Sequence, residues 1–520
     1  KESAFIMRKQ TKLVAVLSTA AVLAIGASMT SFAAEGWAEE NGTWVYYDRD
    51  GYQVTDQWER SGNNWFYLNS DGEMATATII EDDDDYYYVN ESGAMVTNQW
   101  VQIENEDSYD DEDPAAYWYY FQANGKAYKA PTSGKTSFKT INGKKYAFDA
   151  EGRMLYGWVN TDSERQTGDD AWMNGTYFLG DENDGAQANG WALIDVVDEE
   201  QDEPDQTYYF YFDSNGKKVA ASDASELKSK TINGLKYSFN EYGKMVSEWA
   251  MPKASDSAAS ISSYQYFSLP EQGWRAKGWF NVVPAEDVNQ SAYDDESSKW
   301  FYADNSGDLA NSEIKTINSK KYAFNEKGEM LSGVQVLAMS GNSTILGATK
   351  IDNADKVDSL KAGTVSFTGY DGKTYSMADN DNVYVYYFGD GSDGSMKTGN
   401  QTIDIDGDAY SFSFDKTGSD KGRGLNEADD TLYVNGLRVK ADSDMRYQAM
   451  KNGEALDNPA AGIGDDSVYV VNTSGSIMKN KKNLKDTDDM YYCTDKQGHV
   501  VNYSDEKCSG DNECAYHKAN

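Results

Sequence analysis

The stretches Trp44-Val-Tyr-Tyr-Asp48, Trp65-Phe-Tyr-Leu-Asn69 and Tyr86-Tyr-Tyr-Val-Asn90 decide the fold, because they are copies of one motif that begin 21 residues apart. A glycine lies seven residues after the first position of each copy. The glycines that keep this offset from an aromatic, lysine or valine residue are Gly51, Gly72, Gly93, Gly125, Gly152, Gly216, Gly243, Gly307, Gly328, Gly475 and Gly498. Recurrence at one fixed offset identifies an internal repeat.

Each copy combines a short strand with a turn. Four alternating aromatic or apolar residues predict the strand. The following Asn or Asp and the glycine, as in Asn69-Ser-Asp-Gly72, fit a hairpin loop with a type I turn and a G1 bulge. A second signal, Asn-Gly between two strands, is found in Thr140–Tyr146 and Thr231–Tyr237, with an Asn-Ser counterpart in Thr316–Tyr322. We therefore predict an all-β fold, an elongated solenoid of stacked short antiparallel hairpins with few helices.

The alternation within each strand predicts which face is buried. Side chains at the second and fourth positions, such as Phe66 and Leu68, are apolar in nearly every copy and should form the core. The first and third positions are aromatic in some copies but Lys with Ala or Ser in others, as at Lys145 and Ala147. This variation predicts that the second face is not needed for packing and that its aromatic copies are candidate ligand platforms.

Composition excludes several classes of function. The 520 residues contain 86 acidic and 47 basic side chains, a formal net charge of −39. Nucleic-acid binding and electrostatic docking onto anionic lipid both need a basic surface, so neither is expected. The two histidines, His499 and His517, lie near the C-terminal end, which excludes histidine-based catalysis in the body of the chain. We predict no catalytic residue, no metal and no cofactor.

The three cysteines, Cys493, Cys508 and Cys514, also lie near the C-terminal end. In an exported chain we expect one disulfide, with Cys508 and Cys514 as the favoured pair and one odd thiol. A zinc cluster that includes the two histidines is the alternative, but the spacings match no familiar zinc site.

The N-terminal segment resembles a targeting signal. A basic stretch at Met7–Lys12 precedes a short apolar run from Leu13 to Ile25 and the small-residue sequence Ser31-Phe-Ala33. These features predict a secretory signal peptide over residues 1–34, although residues 1–6 precede the apparent start. We expect no membrane insertion of the mature chain, because no later apolar run is long enough to span a bilayer.

The aromatic copies resemble a known family. Gly36-Trp37 followed by Trp44-Val-Tyr46 and Gly51, and Trp58 followed by Trp65-Phe-Tyr67 and Gly72, look like choline-binding and cell-wall-binding repeats. The Thr-Ile-Asn-Gly copies resemble the related repeats of glucan-binding proteins and of clostridial toxin C-terminal regions. The resemblance covers most of residues 36–334 and weakens after them.

The resemblance implies ligand sites between consecutive hairpins, where aromatic side chains cage the choline of teichoic acid. A quaternary ammonium cannot donate hydrogen bonds, so ring faces recognise it by cation–π attraction. The implied positions are Trp37, Trp44, Tyr46, Trp58, Trp65, Tyr67, Tyr86, Tyr88, Trp100, Trp118 and Tyr120, and weaker matches are Tyr209, Tyr211, Trp300 and Tyr302. Lys145, Lys236 and Lys321 depart from the pattern and imply spacer units. The same rings could instead stack on sugars or serve packing alone.

The expected organisation has five parts: a cleaved signal peptide at 1–34, aromatic-rich wall-binding hairpins at 35–130, a super-repeat at 131–334, divergent β-rich repeats at 335–465 and terminal hairpins with a Cys-containing tail at 466–520. The leading hypothesis is a secreted, non-catalytic protein, non-covalently associated with the cell wall, that binds choline-decorated teichoic acid or a glycan. The alternative is a structural or adhesin-like surface protein without a small-ligand site. A wall hydrolase is a third candidate, but residues 335–465, the only room for a catalytic domain, contain no His, Cys or Trp.

Overall fold

The computed structural model describes residues 35–105, 114–379, 382–428 and 430–508. Over these residues the chain is built mostly from short antiparallel strands, which confirms the predicted all-β hairpin fold. The expected signal peptide at 1–34, together with Cys514 and His517, lies outside the described residues. The division into five segments stays a prediction.

Two-stranded hairpins dominate the first part of the chain. Their paired strands are Gly36–Glu40 with Thr43–Tyr47, Gln57–Ser61 with Asn64–Leu68, Thr78–Asp82 with Asp85–Val89, Gln99–Glu104 with Ala116–Phe121, Lys139–Ile141 with Lys144–Tyr146, Gly190–Val197 with Asp205–Phe212, Lys228–Ile232 with Leu235–Phe239, Glu248–Ala250 with Gln265–Phe267, and Gly278–Val282 with Lys299–Ala303. A three-stranded sheet interrupts them, in the order Arg165–Gln166, Trp158–Val159, Tyr177–Phe178.

Larger sheets follow. One five-stranded sheet has the order Lys320–Phe324, Glu313–Ile317, Thr344–Ile351, Val334–Ser340, Val383–Tyr387, and a second has the order Gly399–Ile405, Asp408–Phe414, Leu437–Arg438, Thr431–Val434, Glu427–Ala428. The remaining strands are Ser366–Thr368 with Thr374–Ser376; Glu454–Ala455, Tyr447–Lys451 and Val468–Asn472; and Leu484–Lys485, Tyr491–Thr494 and Val500–Ser504. The weaker repeat signal after residue 334 therefore coincides with broader sheets.

Helices are few and short in the described residues. The α-helices are Ala171–Asn174, Gln290–Asp294 and Ala354–Lys361, and the 3-10 helices are Ile261–Ser263 and Pro459–Gly462. The chain divides into two compact units. The first contains residues up to 222 together with 239–245, and the second contains 223–238 and the residues from 246 onward.

The core is formed by the side chains at the second and fourth strand positions, as predicted. Phe66 and Leu68 are 1% and 0% exposed, and Phe121, Phe239 and Phe324 are fully buried. Burying one such side chain contributes about 1.5–3 kcal/mol. A single hairpin supplies few of these groups, so successive hairpins have to share a core.

The turns also follow the predicted chemistry. The side-chain Oδ1 of Asn69 accepts hydrogen bonds from the backbone N–H groups of Asp71 and Glu73 at 3.0 and 2.9 Å. Gly72 then adopts a φ of 76°, a left-handed conformation that costs glycine little. In the Asn-Gly hairpin, Asn142 and Gly143 have φ values of 51° and 82°, which are those of a type I′ turn.

Successive hairpins contact each other at these turns. The backbone N–H of Met95 donates to the carbonyl of Trp65 in the preceding unit at 2.8 Å. The side chain of Met74 lies directly beneath Gly93, where a Cβ would approach its Cε and Sδ atoms to 2.7 and 2.8 Å. The same arrangement recurs between Met95 and Gly125. Glycine is therefore required at Gly93 and Gly125 for two reasons, the turn conformation and the methionine side chain beneath it.

One prediction about packing is wrong. In the lysine-containing copies, the small residue at the third position was expected to lie on a dispensable face. Ala147 and Ala323 are instead 0% exposed and Ser238 is 5% exposed. Ala147 packs with Leu155, and both belong to a small apolar cluster. Ala147 is small because the segment that contains Leu155 occupies the space that an aromatic ring would fill.

A buried lysine replaces methionine in one unit. Lys218 occupies the position that Met154 and Met245 hold in other copies, and its Nζ lies 5.0 Å from the ring centroid of Trp158. The Nζ donates hydrogen bonds to the carbonyl oxygens of Trp172 and Met173 at the end of a short helix. Burial lowers the pKa of Lys218 from 10.5 to about 7.

We expect Gly93→Ala to lower the free energy of unfolding of the first compact unit by about 2 kcal/mol. The alanine would be strained in the left-handed conformation, and its Cβ would clash with Met74. Gly42→Ala is the matched control, since Gly42 has a φ of 87° and no atom within 4 Å of the added Cβ. Urea unfolding measures both variants. Adding Met74→Ala should recover part of the loss in Gly93→Ala, and equal losses at the two glycines would contradict the proposed contact.

We expect Lys218→Met to change the pH dependence of stability. Below pH 7 Lys218 is protonated in both the folded and the unfolded state, so the folded state bears the full free-energy cost of burying its charge. As pH rises from 7 toward 10.5 the unfolded state binds more protons, so the wild-type free energy of unfolding increases. The variant should lack this increase, on the order of 2 kcal/mol after the carbonyl contacts are allowed for. Parallel stability profiles between pH 7 and 10 would show that Lys218 is not desolvated.

Candidate aromatic ligand sites

The first candidate site is the cross-strand pair Trp37 and Tyr46. They face each other in the first hairpin, and their ring centroids are 5.3 Å apart at an interplanar angle of 72°. Phe66 of the next hairpin packs against the same indole at 5.3 Å. Burial raises the pKa of Tyr46, and the charges of Glu59 and Glu35 raise it further. Two carboxylates that would attract a cation thus act on the pair, while the charge of Arg49 opposes them.

The second candidate site repeats this geometry in the next hairpin. Trp58 faces Tyr67 across the strands, with ring centroids 5.2 Å apart, and Tyr87 of the following hairpin lies 5.2 Å from the same indole. The Nε1 of Trp58 donates a hydrogen bond to Oδ2 of Asp82 at 3.1 Å. Burial raises the pKa of Tyr67, with further contributions from Asp56 and Asp82. Two tyrosine rings therefore contact this indole, and one carboxylate, that of Asp82, accepts its N–H hydrogen bond.

Trp44 and Trp65 occupy the first position of the repeat motif in the same two hairpins. Trp65 is 41% exposed, the most exposed tryptophan among the described residues, and Trp44 is half-buried. Their neighbours across the strands are Arg60 for Trp65 and Glu39 for Trp44. An exposed indole that no core cluster absorbs is available to a ligand.

The third hairpin differs from the first two. Ile79, not tryptophan, faces Tyr88, and Tyr88 stacks on Phe121 with centroids 6.0 Å apart. Lys129 Nζ lies 5.6 Å from the ring centroid of Tyr86. An internal cation thus already occupies one face of Tyr86, so this hairpin is a poorer cation site than the preceding two.

Trp100, Trp118 and Tyr120 serve packing. The Trp100 indole contacts Tyr120 at 5.2 Å, Tyr146 at 4.9 Å, Phe148 at 5.9 Å and Trp118 at 6.5 Å. All of these rings belong to one hydrophobic cluster. An indole enclosed by four rings has little face left for a ligand.

Sequence reasoning missed two tryptophans in the same environment. Trp191 contacts Tyr211 and Phe239, and Trp279 contacts Tyr302 and Tyr322, at distances close to those around Trp100. In each case a Thr-Ile-Asn-Gly or Thr-Ile-Asn-Ser hairpin supplies the closing rings. The regular spacing of those hairpins was a signal that could have identified these packing tryptophans in advance.

The C-terminal cysteines are only partly described. Cys493 Sγ lies 3.2 Å from Cys508 Sγ, and the side-chain Oδ1 of Asn483 accepts a hydrogen bond from the Cys508 backbone at 2.9 Å. The predicted Cys508–Cys514 disulfide involves a residue outside the described part and stays a prediction. Cys493 is thereby a second candidate partner for Cys508.

We expect Trp100→Ala and Trp65→Ala to differ in their effect on stability, because Trp100 is a packing residue and Trp65 is exposed. Trp100→Ala removes an indole from a cluster of rings and should cost about 3–5 kcal/mol of stability. Trp65→Ala removes a 41% exposed side chain and should cost less than about 1 kcal/mol. Urea unfolding followed by circular dichroism measures both. Similar losses would mean that Trp65 is part of the core.

Over the described residues, no group of three or more His, Cys, Asp or Glu side chains is arranged to hold a metal ion. In that same part of the chain, none of the helices has the length and apolar character needed to cross a membrane.

Comparison with known proteins places the second candidate site within a recognised repeat. Residues 57–100 match the family described as the choline-binding repeat. The chain is 24% identical over 278 residues to glucosyltransferase-I of Streptococcus downei, covering 50% of this chain and 15% of that enzyme. It therefore spans about a seventh of the length of that curated relative.

Solved structures with similarity come from Streptococcus pneumoniae. The modular autolysin LytC is 19% identical, with a TM-score of 0.31, covering 59% of this chain and 55% of LytC. CbpJ is 17% identical, with a TM-score of 0.34, covering 75% of this chain and 100% of CbpJ. At these scores the likeness adds nothing to the hairpin fold described above. The match at residues 57–100 confirms the resemblance to choline-binding repeats that the aromatic motifs indicated.

Proposed function

We propose that this chain is a secreted, non-catalytic cell-wall-binding protein that recognises choline on teichoic acid through the Trp58 and Trp37 sites. The observation that carries the proposal is the Trp58–Tyr67–Tyr87 arrangement with Asp82, which lies within the segment that matches a choline-binding repeat. The Trp37–Tyr46 pair has the same cross-strand geometry and provides a second site.

The chemistry of these sites suits a trimethylammonium group. Such a cation cannot donate a hydrogen bond. A site of converging hydrogen-bond acceptors, of the kind that binds a lysine ammonium group, therefore gives it little binding energy. Ring faces attract it by about 0.5–2 kcal/mol each, and several rings act together. Asp82 and Asp56 add attraction without having to touch the cation, because charge–charge energy falls off slowly in a partly desolvated site.

The net charge of −39 acts in two directions. It attracts free choline but repels the phosphate backbone of a choline-bearing polymer. The repulsion is long-ranged and is screened by salt, whereas the ring contacts act at short range. Attachment to the polymer should therefore be stronger at physiological salt than at low salt.

A structural role without a small-ligand site remains the alternative function. It is favoured by the packing roles of Trp100, Trp191 and Trp279, which show that aromatic side chains in this chain also serve the core. It predicts no saturable response to choline. The two functions are therefore separated by one titration.

We expect choline to produce a saturable change in tryptophan fluorescence of the full chain. Trp58→Ala should weaken the affinity of its site by about tenfold, because it removes the ring that both tyrosines contact. Tyr52→Ala is the control, since Tyr52 is 73% exposed in the same region and is not one of the rings that define either site. Absence of saturation would reject the choline site and support the structural alternative.

We also expect Asp82→Asn to weaken choline binding by a few-fold while leaving stability nearly unchanged. The amide oxygen can still accept the hydrogen bond from Trp58 Nε1, so the ring keeps its orientation and only the negative charge is lost. Calorimetric titration at two salt concentrations measures the effect. An unchanged affinity at low salt would show that Asp82 only positions the indole.

A further inference from the structure

The second compact unit contains a cavity of about 480 Å³ that the choline proposal does not use. Three lysines and two aromatic side chains contribute to its lining, together with a buried amide: Lys299, Lys327, Lys350, Trp300, Tyr370 and Gln335. Three basic residues around one cavity stand out in a chain with 86 acidic and 47 basic side chains.

Among the described residues, no carboxylate contacts the three ammonium groups. The pKa of Asp352 is lowered by a hydrogen bond from Lys356 and, through space only, by the charge of Lys350. Lys299 Nζ donates to the hydroxyl of Ser297 at 3.0 Å, and Lys327 Nζ donates to the amide oxygen of Asn289 at 3.1 Å. Within the described residues, none of the three forms an ion pair with a carboxylate at 4.0 Å or less. Neutral oxygens do not cancel the positive charge, so each ammonium keeps hydrogen-bond donors for an anion.

Two glutamates also line the cavity, but neither neutralises the lysines directly. The Oε1 and Oε2 atoms of Glu329 accept hydrogen bonds from the side-chain amides of Asn289 and Asn325 at 2.5 and 2.9 Å. Glu326 is exposed on the adjoining turn. Three lysines and two glutamates leave a net charge of +1 at the cavity.

The aromatic wall supplies a second kind of contact. Trp300 is the second residue of the strand Lys299–Ala303, is half-buried and has its ring centroid 6.4 Å from that of Trp279. Gln335 is 3% exposed and is fixed by a 2.7 Å hydrogen bond from its Nε2 to the carbonyl of Ser332. A flat indole beside polar groups and ammonium donors suits a sugar ring that carries an anionic substituent.

We propose that this cavity binds a phosphorylated sugar, with Trp300 against the sugar ring and Lys299, Lys327 and Lys350 around the phosphate. Charge-assisted hydrogen bonds from ammonium groups to phosphate are short and strong. The acidic chain repels an anion at long range, but the lysines act within a few ångströms, where salt screening is small. The cavity shares no residue with the Trp37 and Trp58 sites and differs from them in ligand charge, and Trp300, a weaker match to the choline pattern, is assigned to the sugar phosphate instead.

The test is a titration of the full chain with glucose 6-phosphate, glucose, inorganic phosphate and glucuronate. Binding is monitored by calorimetry and by tryptophan fluorescence, in the wild type and in Trp300→Phe. Glucose 6-phosphate should saturate and bind at least about tenfold more tightly than glucose or inorganic phosphate. Tighter binding of glucuronate would overturn the assignment to phosphate. Equal binding of inorganic phosphate and the sugar phosphate would overturn the role of Trp300.

The variants separate this cavity from general electrostatics. Combined Lys299→Gln, Lys327→Gln and Lys350→Gln should reduce the affinity for glucose 6-phosphate by about tenfold or more. Lys373→Gln is the matched control, because Lys373 lies in the same unit but is already paired with Asp371 at 2.7 Å. Circular dichroism checks that each variant folds. An unchanged affinity for glucose 6-phosphate in the triple variant, or an equal loss of affinity in the control, would reject the proposal. Choline binding should be unaffected in both variants.

Discussion

The contact between a repeat glycine and the side chain beneath it is the constraint on which the hairpin array depends. Met74 lies under Gly93 and Met95 lies under Gly125, so each turn is shaped by a residue of the preceding turn. A backbone hydrogen bond from Met95 to Trp65 fixes the same junction. Since no hairpin of this size is stable alone, this junction converts marginal units into a continuous core.

Aromatic residues on the hairpins have two distinct uses, and the next unit decides between them. Around Trp100, the following hairpin contributes Tyr146 and Phe148, and the indole becomes part of the core. Around Trp58, the following hairpin contributes Tyr87 and Asp82, and the environment of the indole is partly polar and acidic. The same cross-strand Trp–Tyr pair is therefore a packing element in one place and a candidate cation site in another.

The sequence was sufficient to predict the strands, turns and core face, because these depend on local alternation and on Asn, Asp and Gly at fixed offsets. The burial of Phe66 and Leu68 and the φ of Gly72 confirm this. The roles of the aromatic face were harder to predict. Whether Trp100 is enclosed, or whether Lys129 covers Tyr86, depends on residues from other units that no local pattern places. The burial of Ala147 was missed for the same reason.

The pairing of Met74 with Gly93 also limits how such a chain can change over evolutionary time. A repeat unit carries the glycine of one junction and the methionine of the next, so the glycine and methionine of each junction have to stay matched. Duplication or loss of a whole unit keeps every junction matched, whereas an exchange between dissimilar units leaves one glycine over the wrong side chain. Growth by tandem duplication is thus the route of least disruption, and the substitution of Lys218 for methionine shows that a junction can still diverge when the space around Trp158 accommodates the change.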